Sequence, residues 1–416
     1  MVNKDILILR DLAKKTMEAA QMDIQNERRE MWSDFNSMKS RRVPVFIFDI
    51  WAVAHEVETL TDICEDEVFR YYENAMKINL YHSSAGDDYI LEPWVTVRPI
   101  YKPFMPNWER YGFKIDLKNK GFSLIHPEPP IKSIDDLDKM VTGMPEIDEI
   151  KTKEKTEKII EAIGDIIPVI PENKRARIGG TSGLSYSLGY LLGYEQLMYQ
   201  LYDNPEMVHR ICEILTKTVE DISEQDEKNG RLTNCDSIFP ASWANQAMVY
   251  TRDIPAPGIP QKIINRKQRW IYDNCQEFET VSPEMTNEFL LEYLKPFYEK
   301  FGLLAYGCCE NLTKKIPYLK KIKNLRRIAV TPWADNEECA KQLEDKYVIS
   351  WRPNPAEMVT NGFDPERIVR IVKNAKSIFD RYGCFWEIQL KDMITIEHDC
   401  NRFNKWVDVV RNALEQ

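Results

Sequence analysis

Short apolar segments recur along the chain, and stretches with helical periodicity separate most of them. The strand candidates are 43–48, 89–97, 176–180, 232–240, 303–308, 326–331, 347–351 and 385–390. Helical patterns fall at 5–36, 61–81, 195–202, 205–228, 283–301, 312–321, 336–346, 364–381 and 401–414. Several open on sound caps, as in Ser282-Pro283-Glu284, Asn204-Pro205-Glu206 and Asp364-Pro365-Glu366, where proline suits the first turn. Strands alternating with helices predict an α/β fold with a parallel sheet, and eight strands are enough to close a (β/α)8 TIM barrel. An open doubly wound sheet is the alternative. Residues 1–42 read as an N-terminal helical extension and 43–416 as a single barrel domain.

Composition narrows the function. The 416 residues carry 56 Lys+Arg against 66 Asp+Glu, a net charge of −10, so a broad surface for nucleic-acid backbone is not expected. No run reaches the roughly 18 apolar residues that a membrane span needs, and the first residues, MVNKDILILRDLAKK, do not read as a secretory leader. Nine scattered cysteines predict reduced thiols in a cytoplasmic protein. No Gly-x-Gly-x-x-Gly or P-loop follows a strand, and Gly179-Gly180-Thr181-Ser182-Gly183 lacks the lysine of a nucleotide loop.

Two connections, 98–135 and 241–281, are too long for simple turns. Each follows a strand candidate, so in a barrel both would lie on the C-terminal face, where active sites are built. The most chemically suggestive strand end is Tyr306-Gly307-Cys308-Cys309-Glu310. Alternation places Tyr306, Cys308 and Glu310 on one side. A thiolate and a carboxylate at such an end suit zinc, although a buried cysteine pair can also be plain packing. Other strand ends offer Asp335, Arg352, Asn354 and the pair Lys391-Asp392, while Asp87-Asp88 precedes the second strand and Gln276-Glu277 closes the fourth loop. Five histidines leave little room for a histidine-rich metal site, and no Ser/His/Asp order is legible.

The segment from Gly180-Thr181-Ser182-Gly183 through Gly193-Tyr194-Glu195-Gln196-Leu197 to Asp203-Asn204-Pro205-Glu206, with Ser282-Pro283-Glu284 and the closing Trp406-Val407 helix, resembles the uroporphyrinogen decarboxylase superfamily. True decarboxylases of that family carry an arginine-rich segment after strand one. Here Val45-Phe46-Ile47-Phe48-Asp49-Ile50-Trp51-Ala52 stands there without an arginine, so the likeness is closer to the corrinoid-dependent methyltransferases and an uncharacterised branch. Zinc members of that group end strand five in His-x-Cys. Cys308 matches the cysteine, Tyr306 replaces the histidine, and Asp392 lies near the place of the last ligand.

What the resemblance implies is a methyltransferase that demethylates a small substrate, such as a methoxylated aromatic, and passes the methyl group to a corrinoid on a partner protein. Zinc on Cys308 and Glu310 would assist, with Glu277, Asp392 and Tyr306 as catalytic groups. Trp243, Arg252, Asn354 and Asp88 are the expected substrate-binding residues, and a homodimer is a reasonable assembly. The rival readings are a lyase or decarboxylase that holds a small carboxylate with Arg252, Arg98 or Arg352, and a binding protein without turnover.

Overall fold

The computed structural model describes residues 4–102, 109–114, 118–120, 123–125, 129–142, 146–173, 183–235 and 249–415. Six strands form one curled parallel sheet: β1 (Val45–Ile47), β4 (Trp270–Asp273), β5 (Leu303–Tyr306), β6 (Leu325–Val330), β7 (Val348–Trp351) and β8 (Phe385–Leu390), in spatial order β1-β8-β7-β6-β5-β4. Two further strands, β2 (Val95–Val97) and β3 (Val169–Pro171), pair in parallel with each other, and two short antiparallel pairs, Glu109–Arg110 with Phe113–Lys114 and Lys118–Lys120 with Ser123–Ile125, fall between them in the sequence. The expected α/β class is therefore observed. Parallel strands must be joined by crossovers, and helices such as Asn336–Leu343 and Pro365–Arg381 supply them.

The strands are buried on both faces, so both must be covered. One face joins the helices: Ile271, Leu304, Tyr306, Ile328, Val330, Ile349, Trp351, Ile388 and Leu390 share a core with helix residues Leu294, Ile368, Phe379 and Trp406. The other face, displaced by one residue, turns inside the curl and carries Trp270, Tyr272, Leu303 and Ala305, followed by the buried Arg327, Ser350, Glu387 and Gln389. Two of the three predicted caps make their hydrogen bonds, while Asn204 opens its helix without a side-chain cap bond. Ser282 accepts from the Met285 amide and Asp364 from the Arg367 amide.

Two helices open the chain, α1 (Lys4–Ala20) and α2 (Asp23–Asn36), so the 5–36 stretch is broken near Gln21. Helix α2 sits against the ends of the strands where they begin. Its Asn36 receives hydrogen bonds from Arg326 at 2.6 Å and Arg327 at 2.6 Å, and donates to the Tyr250 carbonyl at 2.8 Å.

Two expectations need correction, and one strand was not foreseen. The fourth strand is Trp270–Asp273, not 232–240: only Thr233 makes a bridge there, to Ile263, and 236–240 lies outside the described residues, as does the 176–180 candidate. Four residues between Arg269 and Asn274 are too short to show a period. The strand that pairs with β2 is Val169–Pro171, which no sequence candidate covered, and helix Glu149–Ile163, whose charged sequence hides its apolar stripe, lies ahead of it. Consequently part of the 241–281 connection does not crown the C-terminal face. Its stretch 249–269 runs over the N-terminal ends, with Ile254 packed beneath Trp270 and Leu303.

Candidate active site

Four strands bring polar groups together where they end. After β5 the chain turns at Gly307, which has φ +108°. A Cβ there would meet Leu312 Cδ1 at 2.7 Å and Ala329 Cβ at 2.8 Å, so only glycine fits. The turn is held by the Gly307 amide donating to the Asp273 carbonyl at 2.8 Å and by the Tyr272 hydroxyl donating to the Gly307 carbonyl at 3.2 Å. Cys308 follows, and its Sγ lies 3.4 Å from Cys309 Sγ.

The cation facing these thiols comes from β8. Lys391, only 3% exposed, places its Nζ 3.4 Å from Cys308 Sγ and 3.7 Å from Cys309 Sγ. It is also 3.4 Å from Asp392 Oδ1 and 5.9 Å from the centre of the Phe48 ring. Burial and Arg352 push its pKa down, but the two sulfurs and Asp392 outweigh them, so the ammonium is retained. Arg352, at the end of β7, donates to the Cys308 carbonyl, and its buried Nε has no hydrogen-bond partner among the described residues. The Cys309 thiol donating to Cys308, with Lys391 and Arg352 beside it, pulls the Cys308 pKa down to about 6 against the opposing effect of burial. Cys309, as the donor and closer to Asp392, is pushed up.

Asp49 completes the group from the end of β1. Its carboxylate accepts from the Asp392 amide at 2.6 Å. Burial raises its pKa from 3.8 to about 6, although that amide and Lys391 pull the other way. The folded chain therefore holds the Asp49 proton more tightly than the unfolded chain does. Its contribution to stability is complete below about pH 4 and is lost as pH rises to about 6, a difference of up to about 3 kcal/mol. Asp49→Asn keeps the acceptor for the Asp392 amide and removes the charge. The expected result is a gain in stability over the native chain at pH 7.5 that disappears by pH 4, read as the difference in urea midpoints. An equal difference at both pH values would contradict this assignment.

Glu310 is 1% exposed and has a structural task. Its two carboxylate oxygens accept from the Cys275 and Cys308 amides, each at 2.8 Å, tying the end of β4 to the end of β5. Zinc does not fit this donor set. Glu310 is occupied by backbone amides, an ammonium touches both sulfurs, and no group of three or more His, Cys, Asp and Glu among the described residues is placed to hold a metal ion.

The structure gathers Cys308, Glu310 and Asp392 from the expected residues. Glu277 lies just beyond β4, half-buried, and accepts from the Ser185 hydroxyl at 2.6 Å. Asn354, just past β7, caps the turn that follows by accepting from the Ala356 amide at 3.1 Å. Three others do not join them. Tyr306 points outward into the helical layer against Tyr298, because the bend at Gly307 breaks the alternation that would have put it beside Cys308. Asp88 holds the start of β1 by accepting from the Val45 amide at 2.8 Å, with Arg42 and Arg411 on its other oxygen. Arg252 is paired with Glu30 and Asp34 of α2, at the same N-terminal end. Trp243 lies outside the described residues. Sequence reasoning named Lys391 only as a strand-end group and passed over Asp49. Their inward direction and shared end of the sheet were the missing information.

Comparison with known proteins gives a fold. No protein family profile matches the chain, and no curated protein matches it. The chain is similar to a solved structure, a methyltransferase from Methanosarcina mazei, with a TM-score of 0.50 and 11% identity over 92% of this chain and 98% of that one. At that identity the likeness establishes a shared architecture across nearly the full length. Among the described residues, no helix is long and apolar enough to cross a membrane.

Proposed function

We propose that the chain is a methyltransferase that removes a methyl group from a small substrate bound over Cys308, Lys391 and Asp49. The observation that carries this reading is that cluster: a thiol, a buried ammonium and a carboxyl held protonated to about pH 6 at the ends of three strands of a methyltransferase-like fold. In this reading the six-stranded sheet and the β2-β3 pair are two arcs of one eight-stranded barrel, and the cluster lies at its C-terminal mouth.

An ether or amine is a poor leaving group unless a proton arrives as the bond to carbon breaks. Asp49 is the acid suited to deliver it. Lys391 and the free Nε of Arg352 attract an anionic substituent, and Phe48 offers a flat apolar wall. The proposed methyl acceptor is a corrinoid on a partner protein, which when bound supplies a strongly nucleophilic metal centre. The exposed Trp51 (54%), Trp333 (69%) and Ile394 (84%) follow β1, β6 and β8 at that mouth, and an apolar rim of this kind fits a flat macrocycle or the protein that presents it.

The test is methyl transfer from a panel of methoxylated benzoates to reduced free cobalamin. Activity is expected, with Asp49→Asn lowering kcat about a hundredfold and Arg252→Ala leaving it unchanged. Release of carbon dioxide without methyl transfer would instead support the decarboxylase alternative, which the Lys391–Arg352 pair favours as a carboxylate clamp. No turnover of either kind across the panel would count against both.

A further inference from the structure

The thiol cluster contains more than a zinc site would need and arranges it differently. Lys391 contacts both sulfurs from a buried position, and Arg352 adds a second cation on the Cys308 backbone while its own Nε stays buried without a partner among the described residues. Glu310 accepts from the Cys308 amide and so holds the backbone that carries the thiol. A sulfur in contact with a buried ammonium, with a second cation on its own backbone and a neighbouring thiol at 3.4 Å, is the environment of a nucleophile.

We propose that Cys308 itself receives the methyl group, as a covalent thioether, before it passes to the final acceptor. This rests on the methyl-transfer reading above. Cys308 Sγ attacks the methyl carbon, the S–C bond forms as the bond from carbon to the leaving oxygen or nitrogen breaks, and the electron pair leaves with that atom, which takes the Asp49 proton. The acceptor, a soft nucleophile stronger than the thiolate, then displaces the methyl group from sulfur. The S–C electron pair returns to Cys308, and no oxidant or reductant is required. Lys391 is a positioning residue that holds the thiolate before attack and receives it back afterwards. Charge neutralisation at the sulfur is thus done by an ammonium where a related enzyme would use a metal.

The test uses methyl iodide as the probe on the full chain at pH 7, after dialysis against a chelator, with peptide mapping and metal analysis. One methyl adduct is expected, on Cys308, forming at least about tenfold faster than in the same chain unfolded in urea. Lys391→Met should slow it about tenfold and Lys391→Arg should restore most of the rate. Cys309→Ser should still be modified at Cys308. Modification at Cys309, a rate no faster than in urea, or reactivity that disappears with the loss of one equivalent of zinc would each overturn the proposal. The readout needs neither natural substrate nor acceptor. A chain that alkylates at Cys308 but transfers no methyl group would therefore defeat the proposed function alone, and a Cys308→Ala variant that still turns over would defeat the covalent step alone.

Discussion

Glu310→Ala is expected to cost about 3 kcal/mol of stability, which would be measured as a lower urea midpoint with little change in slope. The carboxylate is almost fully buried and accepts from two backbone amides on different strand ends, Cys275 after β4 and Cys308 after β5. Removing it leaves two buried donors unsatisfied, and each costs on the order of 1–3 kcal/mol. Glu310→Gln is expected to lose less, about half as much, because one oxygen remains, but its NH2 group must then face an amide hydrogen. Both variants should also slow alkylation of Cys308, because the clamp fixes where Sγ points relative to Lys391. A loss below about 1 kcal/mol for the alanine variant would show that the loops repack or that water enters, and that the clamp is not what joins β4 to β5.

That carboxylate also shows how much of the site could be read in advance. Glu310 and Cys308 were visible as a thiol and an acid two residues apart at the end of an apolar run. Their division of labour was not, because it depends on the Cys275 amide, 35 residues earlier and beyond a strand too short to show a period. The strands from β5 to β8 were legible because each is a short segment rich in apolar and β-branched residues followed by a polar turn. The inward row Arg327, Ser350, Arg352, Glu387, Gln389 and Lys391 was present in those same runs as every second residue. Its meaning appears only once the strands are paired, when Ser350 meets Gln389 at 2.9 Å and Lys391 meets Cys308. Alternation failed at Tyr306 for a local reason. One glycine with positive φ turned the chain between Tyr306 and Cys308, and the tyrosine stayed with the helices. The placement of Arg252 and Asp88 failed for a different reason. Polar residues near strands were assumed to gather at one face, and these two serve the closed N-terminal end, where α2 and the 249–269 stretch cover the sheet.

The same closed end makes Arg327→Met a severe substitution. Arg327 is 1% exposed and Glu387 is 0% exposed. Their atoms meet at 2.9 Å inside the curl, and the other arm of the guanidinium donates to Asn36 of α2 at 2.6 Å. Burial lowers the Arg327 pKa while Glu387 partly offsets it, so each charge relies on the other. Removing the arginine takes the Arg327 cation from a buried carboxylate and breaks one of the links to the helix that covers this end, at an expected cost of about 3–5 kcal/mol at pH 7.5. Without the cation, the interior favours the neutral acid over a bare carboxylate, so keeping the variant folded with that group ionised costs more as pH rises. The deficit of the single variant should therefore shrink as pH falls from 7.5 toward 5. Removing both charges, as Arg327→Met with Glu387→Met, should recover stability to within about 1–2 kcal/mol of the native chain and abolish that pH dependence, because neither member of the pair is left to desolvate. Urea midpoints of the three chains at pH 5 and 7.5 decide it: a double variant as unstable as the single one would mean that the pair is needed to shape the interior and is more than a compensated burial of charge.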